Sequence, residues 1–244
     1  MLQTTRGIIL RSVKYGETSL ICTIFTELYG VQAYMIQGVR TTSKNKQNRA
    51  GLLQPATLLD LVVYQKPGAN LQRIKEYHPA YIYTSLQEHV VKNSVALFSV
   101  ELLLRLLPEQ APMPDLFDSC FEYFRALDKA QSAGNYPIYF LVHCANMLGY
   151  NITGSYSEDT PHLSLQEGGF SHNMPPESKN ITSDDAKMLD RLLKMESVEK
   201  AANIEMNGAT RFRLLDWLVA FMHMHTQHMG EIRSLPVLRT ILHA

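Results

Sequence analysis

A cationic loop is the stretch of this sequence whose residue types and spacing best suit chemistry with a polyanion. It extends from Gly38 to Pro55, and its four cations are Arg40, Lys44, Lys46 and Arg49. Neither an acidic nor a large apolar residue lies between the first and last of these cations. A basic loop between strand-like segments suits a nucleic acid better than a small neutral ligand. The alternative is a loop that is only hydrated, as charge runs on proteins usually are.

The segments around this loop predict five β-strands. β-branched and aromatic residues with turn residues between them mark Thr5–Val13, Leu20–Thr26, Val31–Val39, Ala56–Lys66 and Leu71–Tyr77. Five short strands without a long helix predict a small closed barrel of the OB-fold type, which commonly binds oligonucleotides. Because alternate strand residues share a face, Arg73, Lys75 and Tyr77 are expected on one face.

Four tyrosines of these segments are candidate platforms for stacked bases. They are Tyr15, Tyr34, Tyr64 and Tyr77. The alternative for each of them is a half-buried strand tyrosine with no ligand.

Beyond residue 80 the pattern becomes helical. Helices are predicted from about Ser85 to Pro108, and at Leu116–Ala130, Tyr136–Leu148, Thr182–Met195, Ser197–Asn203, Thr210–Met229 and Pro236–Leu242. The segment Gly149–Asn180 is rich in Ser, Gly, Asn and Pro and has no helical period, which predicts a long loop. The sequence therefore predicts an α+β multidomain protein, with an OB-fold domain at 1–80 and an α-helical domain at 81–244.

Charge is distributed unevenly along the chain although the formal net charge is zero. Residues 1–80 contain ten Lys/Arg and four Asp/Glu, which gives a formal charge of +6. The remaining residues contain thirteen and nineteen, which gives −6. A basic first part and an acidic second part favour two domains with different partners.

Composition also predicts the cellular environment. The three cysteines, Cys22, Cys120 and Cys144, are widely spaced and form no CxxC pair, which indicates free thiols in a reducing compartment. The chain has no signal-peptide layout at its start and no apolar run of about eighteen residues. We therefore expect a cytoplasmic protein that is not inserted in a membrane.

Motifs for catalysis and for cofactor binding are absent from the sequence. There is no GxxxxGK[ST], GxGxxG, GxSxG or HExxH pattern. Of His223, His225 and His228, only the last two share a helix face, and no cysteine or carboxylate completes a ligand set. The sequence thus predicts no metal, no cofactor and no enzymatic activity. A nuclease or another enzyme remains an alternative that metal-dependent cleavage of DNA would reveal.

Several short segments follow one another in a characteristic order from one end of the chain to the other. They are Gly7-Ile8-Ile9-Leu10-Arg11, Tyr15-Gly16-Glu17-Thr18-Ser19-Leu20, Phe25-Thr26, Tyr29-Gly30, Gly38-Val39-Arg40, Ser43-Lys44, Leu53-Gln54-Pro55, Leu148-Gly149-Tyr150, Gly168-Gly169-Phe170, Gly230-Glu231-Ile232-Arg233-Ser234-Leu235 and Val237-Leu238. In this order they resemble the segments of the RecO family of bacterial recombination mediators. The resemblance implies an N-terminal OB-fold followed by an α-helical domain. It also implies binding of single- and double-stranded DNA, strand annealing, and loading of RecA onto SSB-coated DNA together with RecR.

One departure from the family pattern concerns zinc. Many RecO proteins carry a four-cysteine zinc module in the segment that corresponds to 149–180, and here that segment has no cysteine. Because zinc takes three or four Cys or His ligands in close spacing, we expect a degenerate, metal-free loop.

The candidate contacts follow from these two lines of reasoning. For DNA they are Lys14, Arg40, Lys44, Lys46, Arg49, Arg73 and Lys75. The resemblance also implies recognition of the acidic, Phe-ended SSB tail, for which helical spacing suggests Arg105, Phe121, Arg125 and Leu141. A nucleoid-associated DNA-binding protein is the first hypothesis. The alternative is a protein-interaction adaptor whose barrel docks a partner protein without primary DNA binding.

Overall fold

The computed structural model describes residues 1–39, 49–178, 180–226 and 229–243. Five strands form the first part of the chain: β1 (Leu2–Tyr15), β2 (Ser19–Thr26), β3 (Gly30–Ile36), β4 (Leu58–Tyr64) and β5 (Leu71–Pro79). Seven α-helices follow in the described residues: α1 (Val90–Leu106), α2 (Pro114–Lys129), α3 (Tyr136–Met147), α4 (Ser183–Leu193), α5 (Val198–Ala202), α6 (Gly208–His225) and α7 (Ser234–His243). Five strands and then helices confirm the predicted fold class.

The five strands close into a barrel in the order β1-β2-β3-β5-β4. Only β3 and β5 run parallel, and β1 pairs antiparallel with both β2 and β4. The long β1 can serve two neighbours because its register shifts between Ile9 and Arg11, where a bulge bends the strand. This closure leaves no free sheet edge and has the five-stranded architecture of an OB-fold.

The barrel core is filled by the inward-facing half of each alternating strand. Ile9, Cys22, Ile24, Tyr34 and Leu61 are at most 1 % exposed and pack in one cluster. β-branched and aromatic residues dominate these strands, as expected for a pleated surface that is buried on one side.

The chain divides into two compact units, and α2 belongs with the barrel. The first unit contains residues 1–87 and 107–128, and the second contains 88–106 and 129–244. Within the first unit, the ring of Phe117 on α2 meets that of Phe25 edge-on at 5.4 Å. Gly30 adopts φ +64°, and an added Cβ would lie 2.2 Å from the carbonyl oxygen of Ala111, so only glycine fits there.

The second unit is built around α3, which packs against α1, α5 and α6. Its residues Leu141 and Cys144 are fully buried. A capping box begins α4, since Thr182 and Asp185 exchange hydrogen bonds there. No helix among the described residues is long and apolar enough to cross a membrane.

The segment 149–180 has more structure than the sequence predicted. It contains a short antiparallel hairpin of β6 (His162–Ser164) and β7 (Gly169–Ser171), and a 3-10 helix at Pro176–Ser178. Three-residue strands give too few alternating positions for a period-two pattern to be recognised in the sequence. Within the described residues, no group of three His, Cys, Asp or Glu side chains could hold a metal ion.

Candidate nucleic-acid interface

The outer face of the barrel carries a row of neighbouring side chains that crosses all five strands. Strand pairing places Val13 beside Ile21, Ile21 beside Met35, and Met35 beside Arg73, which in turn pairs with Tyr64. Val13 is 44 % exposed and Tyr64 is 49 % exposed. Apolar and aromatic side chains beside a cation provide both a stacking surface and a phosphate contact.

A second row lies next to the first. It joins Arg11, Thr23, Ala33 and Leu71 through the same pairings of β1, β2, β3 and β5. Arg11 and Leu71 are exposed, and the two residues between them are half-buried. The two rows together form a continuous surface, here called the open face. In OB-folds the outer surface of strands 2 and 3 commonly binds oligonucleotides.

Two loops border the open face. The exposed Lys14 and Tyr15 end β1 just before the β1–β2 turn, and the β4–β5 connection carries the exposed Lys66. The buried Gln72 holds the second loop, since its Oε1 accepts from Lys66 N at 3.0 Å and its Nε2 donates to the carbonyl oxygens of Lys66 and Ala69. The Gln72 amide thus serves as the hydrogen-bond partner of the loop backbone and fixes the backbone of Lys66 in place.

Cations on the barrel fall into two groups. Arg6 donates to Glu27 at 3.0 Å and to Asp118 at 2.6 Å, and both carboxylates raise its pKa. Its guanidinium also lies 5.3 Å from the ring centroids of Phe117 and Phe121. In contrast, within the described residues Arg11, Lys14, Lys66 and Arg73 form no ion pair. These four cations are therefore available to bind an anion from outside the chain, such as a phosphate.

Both ends of the cationic loop are anchored to the barrel beside the β1–β2 hairpin. Val39 is buried and donates its N–H to the carbonyl oxygen of Thr18 at 3.0 Å. Near the other end of the loop, the 3-10 helix Arg49–Leu53 ends at Leu53. Leu53 is buried in the barrel core, and its carbonyl oxygen accepts a hydrogen bond from the Ser12 hydroxyl. The chain thus leaves the barrel and returns to it close to Arg11 and Lys14.

The residues predicted to contact DNA lie in different surroundings. Arg73 is exposed on the open face, and Lys14 is exposed beside it. Arg49 begins the 3-10 helix that closes the loop. Arg40, Lys44 and Lys46 lie outside the described residues. Lys75 forms an ion pair with Glu76 at 3.3 Å, yet it borders a cleft of about 160 Å³ together with Arg73 and Gln37.

The prediction that Tyr77 shares a face with Arg73 and Lys75 is wrong. In the pairing of β4 with β5, Val62 lies opposite Glu76 and Val63 opposite Ile74, so Lys75 is bulged out of the ladder. An extra residue reverses the alternation beyond it. Tyr77 consequently packs against the barrel core.

The other candidate stacking platforms also separate into two kinds. Tyr15 is 53 % exposed and, like Tyr64, stands at the open face. Tyr34 is fully buried, and its hydroxyl donates to Gln32 Oε1 at 2.9 Å. Burial raises the pKa of Tyr34 to about 12. As a platform Tyr34 was a wrong candidate, because the alternation of β3 turns it inward.

The candidate residues for the SSB tail are distributed over both units. Phe121 and Arg125 belong to the first unit, and Arg105 and Leu141 belong to the second. Leu141 is fully buried and Phe121 is 6 % exposed. Arg125 donates to Glu122 at 2.7 Å, and Arg105 lies 3.7 Å from Glu101. The two arginines are the members of this set that reach solvent.

The histidines of the second unit have structural contacts. His225 lies 3.1 Å from the carbonyl oxygen of Leu165 through Nε2 and packs on Phe221 with a ring distance of 4.5 Å. His143 stacks on Tyr139, and burial lowers its pKa. His228 lies outside the described residues.

Sequence reasoning missed Arg11 and Lys66 as candidate interface residues. Arg11 was hidden inside an apolar strand, and only the bulge at its N-terminal side turns it outward. A signal for Lys66 was present, because it precedes the Pro67-Gly68 turn between two strands. Loops at that position commonly contribute to OB-fold binding sites.

The fold and the open face define a protein of the OB-fold class with a helical unit later in the chain. A family model described as "Recombination protein O N terminal" matches residues 1–83, and one described as "Recombination protein O C terminal" matches 87–236. The chain therefore belongs to the RecO family, which confirms the resemblance, and it has a role in DNA repair and recombination.

Individual relatives agree with this result. The chain is 28 % identical over 243 residues to the DNA repair protein RecO of Christiangramia forsetii, with 99 % of both chains covered. It is 29 % identical over 245 residues to the protein of that name from Bacteroides fragilis, again with 99 % of both covered. With the Salinibacter ruber protein of that name it shares 31 % over 172 residues, which is 68 % of this chain and 65 % of that protein.

Proposed function

We propose that this protein binds single- and double-stranded DNA through the open face and the cationic loop, and anneals complementary strands. Together with RecR it would help to load RecA onto SSB-coated DNA, acting at the nucleoid in the cytoplasm and without turnover of a substrate. The observation that carries the DNA-binding part is the set of exposed cations around an apolar and aromatic surface, which have no carboxylate partner in the described part of the chain. The protein partners rest on membership of the RecO family.

The mechanism of binding is electrostatic. Lysine and arginine side chains displace counterions that are condensed on the phosphates, so affinity falls steeply with salt and depends little on sequence. Arg11, Lys66 and Arg73 contact the backbone from the barrel, and Lys44, Lys46 and Arg49 do so from the loop. Bases that stack on Tyr15 and Tyr64 keep their pairing edges accessible. Annealing follows when neutralised phosphates of two strands approach each other with less repulsion.

Fluorescence anisotropy of a labelled single-stranded oligonucleotide at several salt concentrations tests the DNA interface. Replacing Lys44, Lys46 and Arg49 together by alanine should lower the slope of log affinity against log salt by about two units for single-stranded DNA. A matched control replaces Lys187, Arg191 and Lys200, which are exposed cations of the second unit. An unchanged slope and affinity in the loop variant would remove the loop from the interface.

The adaptor alternative has its own support in the apolar character of the open face. Val13, Met35 and Leu71 lie in the two rows, and side chains of this kind are common where proteins dock. Binding of RecR, of an SSB tail peptide and of DNA, each measured alone, separates the two functions. An adaptor would bind a protein partner while its affinity for DNA remained low and insensitive to salt.

We also propose that an arginine of the predicted set binds the acidic SSB tail, either Arg105 in the second unit or Arg125 in the first. A carboxylate-rich peptide requires accessible guanidinium groups, and both arginines reach solvent. Titration of a labelled tail peptide against Arg105→Ala and Arg125→Ala identifies the contributor. Peptide affinity that stays at the wild-type level in both variants would place the tail elsewhere.

A further inference from the structure

A polar cavity of about 500 Å³ lies in the second unit, open to solvent on one side. None of its lining residues belongs to the sets proposed above to bind DNA or the SSB tail. It is lined by Ser132, Asn135, Ala202, Glu205, Asn207 and Arg211, among others. The cavity is bordered by the segments that precede α3 and α6.

Arg211 is held in this cavity by neutral groups only. Its Nε donates to Asn135 Oδ1 at 3.1 Å, and its Nη2 donates to the carbonyl oxygen of Met206 at 3.0 Å. Asn135 is 3 % exposed and is itself fixed, since its Nδ2 donates to the carbonyl oxygens of Ala201 and Ile204 at 3.0 and 2.9 Å. The guanidinium is therefore pre-positioned at the cavity wall by a rigid scaffold.

The charge of Arg211 has no carboxylate partner among the described residues. Burial lowers its pKa, and no anion acts in the opposite direction. Arg213, two residues further along α6, differs in this respect. It donates to both oxygens of the buried Asp185, at 2.7 and 2.8 Å. A half-buried cation without a counter-charge is unfavourable unless an anion reaches it.

We propose that this cavity binds an oxyanion group, a carboxylate or a phosphate of a small molecule, with Arg211 as its principal contact. Guanidinium groups bind both kinds of oxyanion through charge-assisted hydrogen bonds. Arg211 uses Nε and Nη2 for the scaffold, which leaves donor capacity on Nη1 for the ligand. The hydroxyl of Ser132 lines the same cavity and can add a donor.

Isothermal titration calorimetry on the full chain tests this site with three probes: inorganic phosphate, acetate and thymidine monophosphate. All titrations are made at one ionic strength against a chloride control. Arg211→Gln should weaken binding of the accepted probe by about tenfold or more, because it removes a charge-assisted hydrogen bond and the cation. Arg191→Gln, at an exposed arginine of α4, is the matched control and should bind like the wild type.

A second variant separates binding from folding. Glu205 is exposed at the cavity, and Glu205→Gln removes a negative charge that repels an anion. It should strengthen binding about twofold, a direction that damage to the fold does not produce. Preference for phosphate or acetate among the probes identifies the kind of oxyanion. Binding no stronger than in the chloride control, or equal binding by Arg211→Gln, would overturn the proposal.

Discussion

Arginines on the barrel have different immediate surroundings, and we expect their functions to differ for that reason. Arg11 and Arg73 are exposed on the open face, whereas Arg6 is engaged by Glu27 and Asp118. Each single change Arg11→Ala and Arg73→Ala should therefore lower the salt slope for single-stranded DNA by about 0.7, as expected for one lost phosphate contact. Anisotropy titrations from low to high salt measure this slope.

Arg6→Ala provides the contrasting result. It should leave the salt slope unchanged and lower the free energy of unfolding by about 1 kcal/mol, since its ion pairs are partly exposed to solvent. Urea unfolding of the three variants measures that loss. A reduced slope in Arg6→Ala, or unchanged slopes in both other variants, would contradict the division between structural and DNA-contacting arginines.

Asp128 at the end of α2 holds the chain segment that follows the barrel. Its carboxylate accepts from the backbone N–H groups of Thr84, Ser85 and Leu86, and from the hydroxyl of Tyr81 at 3.1 Å. Burial alone would raise the pKa of Asp128, but these hydrogen bonds lower it to about 2. Asp128→Asn should therefore lower the free energy of unfolding at pH 7 by about 2 kcal/mol.

The pH dependence of stability gives an independent test of Asp128. A depressed pKa stabilises the folded state above the unfolded value near 3.9, and this stabilisation is lost as the pH falls towards about 2. The difference in unfolding free energy between wild type and Asp128→Asn should thus shrink between about pH 4 and pH 2. Asp60→Asn, at an exposed aspartate of β4, is the control for the loss of unfolding free energy at pH 7.

At the scale of elements, a glutamate of α1 caps α7. Glu101 accepts from the backbone N–H groups of Arg233 at 2.9 Å and Ser234 at 2.8 Å, and from the Ser234 hydroxyl at 2.6 Å. Burial opposes the charged form, but these hydrogen bonds lower the pKa of Glu101. Backbone N–H groups at the start of a helix have no acceptor within that helix. Glu101 supplies an acceptor for those of Arg233 and Ser234.

Glu101→Gln should consequently destabilise α7 by about 1–2 kcal/mol, because one charged acceptor of its first turn is lost. Hydrogen–deuterium exchange should become faster for the amides of 235–243 and remain unchanged in the barrel strands. Glu196→Gln is the control, since Glu196 is exposed and pairs only with Lys200. Equal exchange of α7 in Glu101→Gln and in the wild type would show that the cap is not required.

The sequence predicted elements better than it predicted which way their side chains point. Five strands and the main helices were recognisable because alternation and helical period extend over several residues. The bulge at Lys75 was not recognisable, since nothing in Leu71–Tyr77 marks an extra residue, and it moved Tyr77 into the core. Arg11 was missed for the related reason that a bulge follows Ile9.

At the scale of the whole molecule, helical period does not identify the partner of a helix. The apolar face of α2 was recognisable, but the sequence placed this helix in a domain at 81–244, whereas it packs with the barrel through Phe117. The basic charge of the first eighty residues, in contrast, is a property of the sequence alone. It predicted a nucleic-acid interface that includes Arg73, but it did not single out Arg11 or Lys66.

Because α2 packs on the barrel, we expect that the barrel strands need α2 in order to fold stably. A fragment of residues 1–83 lacks α2 and exposes Phe25, which is fully buried in the complete chain. It also leaves Arg6 without Asp118. Exposed aromatic surface lowers stability, so the barrel strands should exchange their amide hydrogens faster in this fragment than in the complete chain, or the fragment should self-associate.

Analytical ultracentrifugation of the fragment and hydrogen–deuterium exchange of its barrel strands measure both outcomes. Phe117→Ala in the complete chain is the matched control, because it keeps α2 but removes the ring that meets Phe25 at 5.4 Å. It should fall between the fragment and the wild-type chain, with a loss of about 3 kcal/mol for a buried phenylalanine. If the fragment of residues 1–83 is monomeric and its strands exchange as slowly as in the complete chain, then the barrel is an independent domain and the boundary predicted after residue 80 is correct.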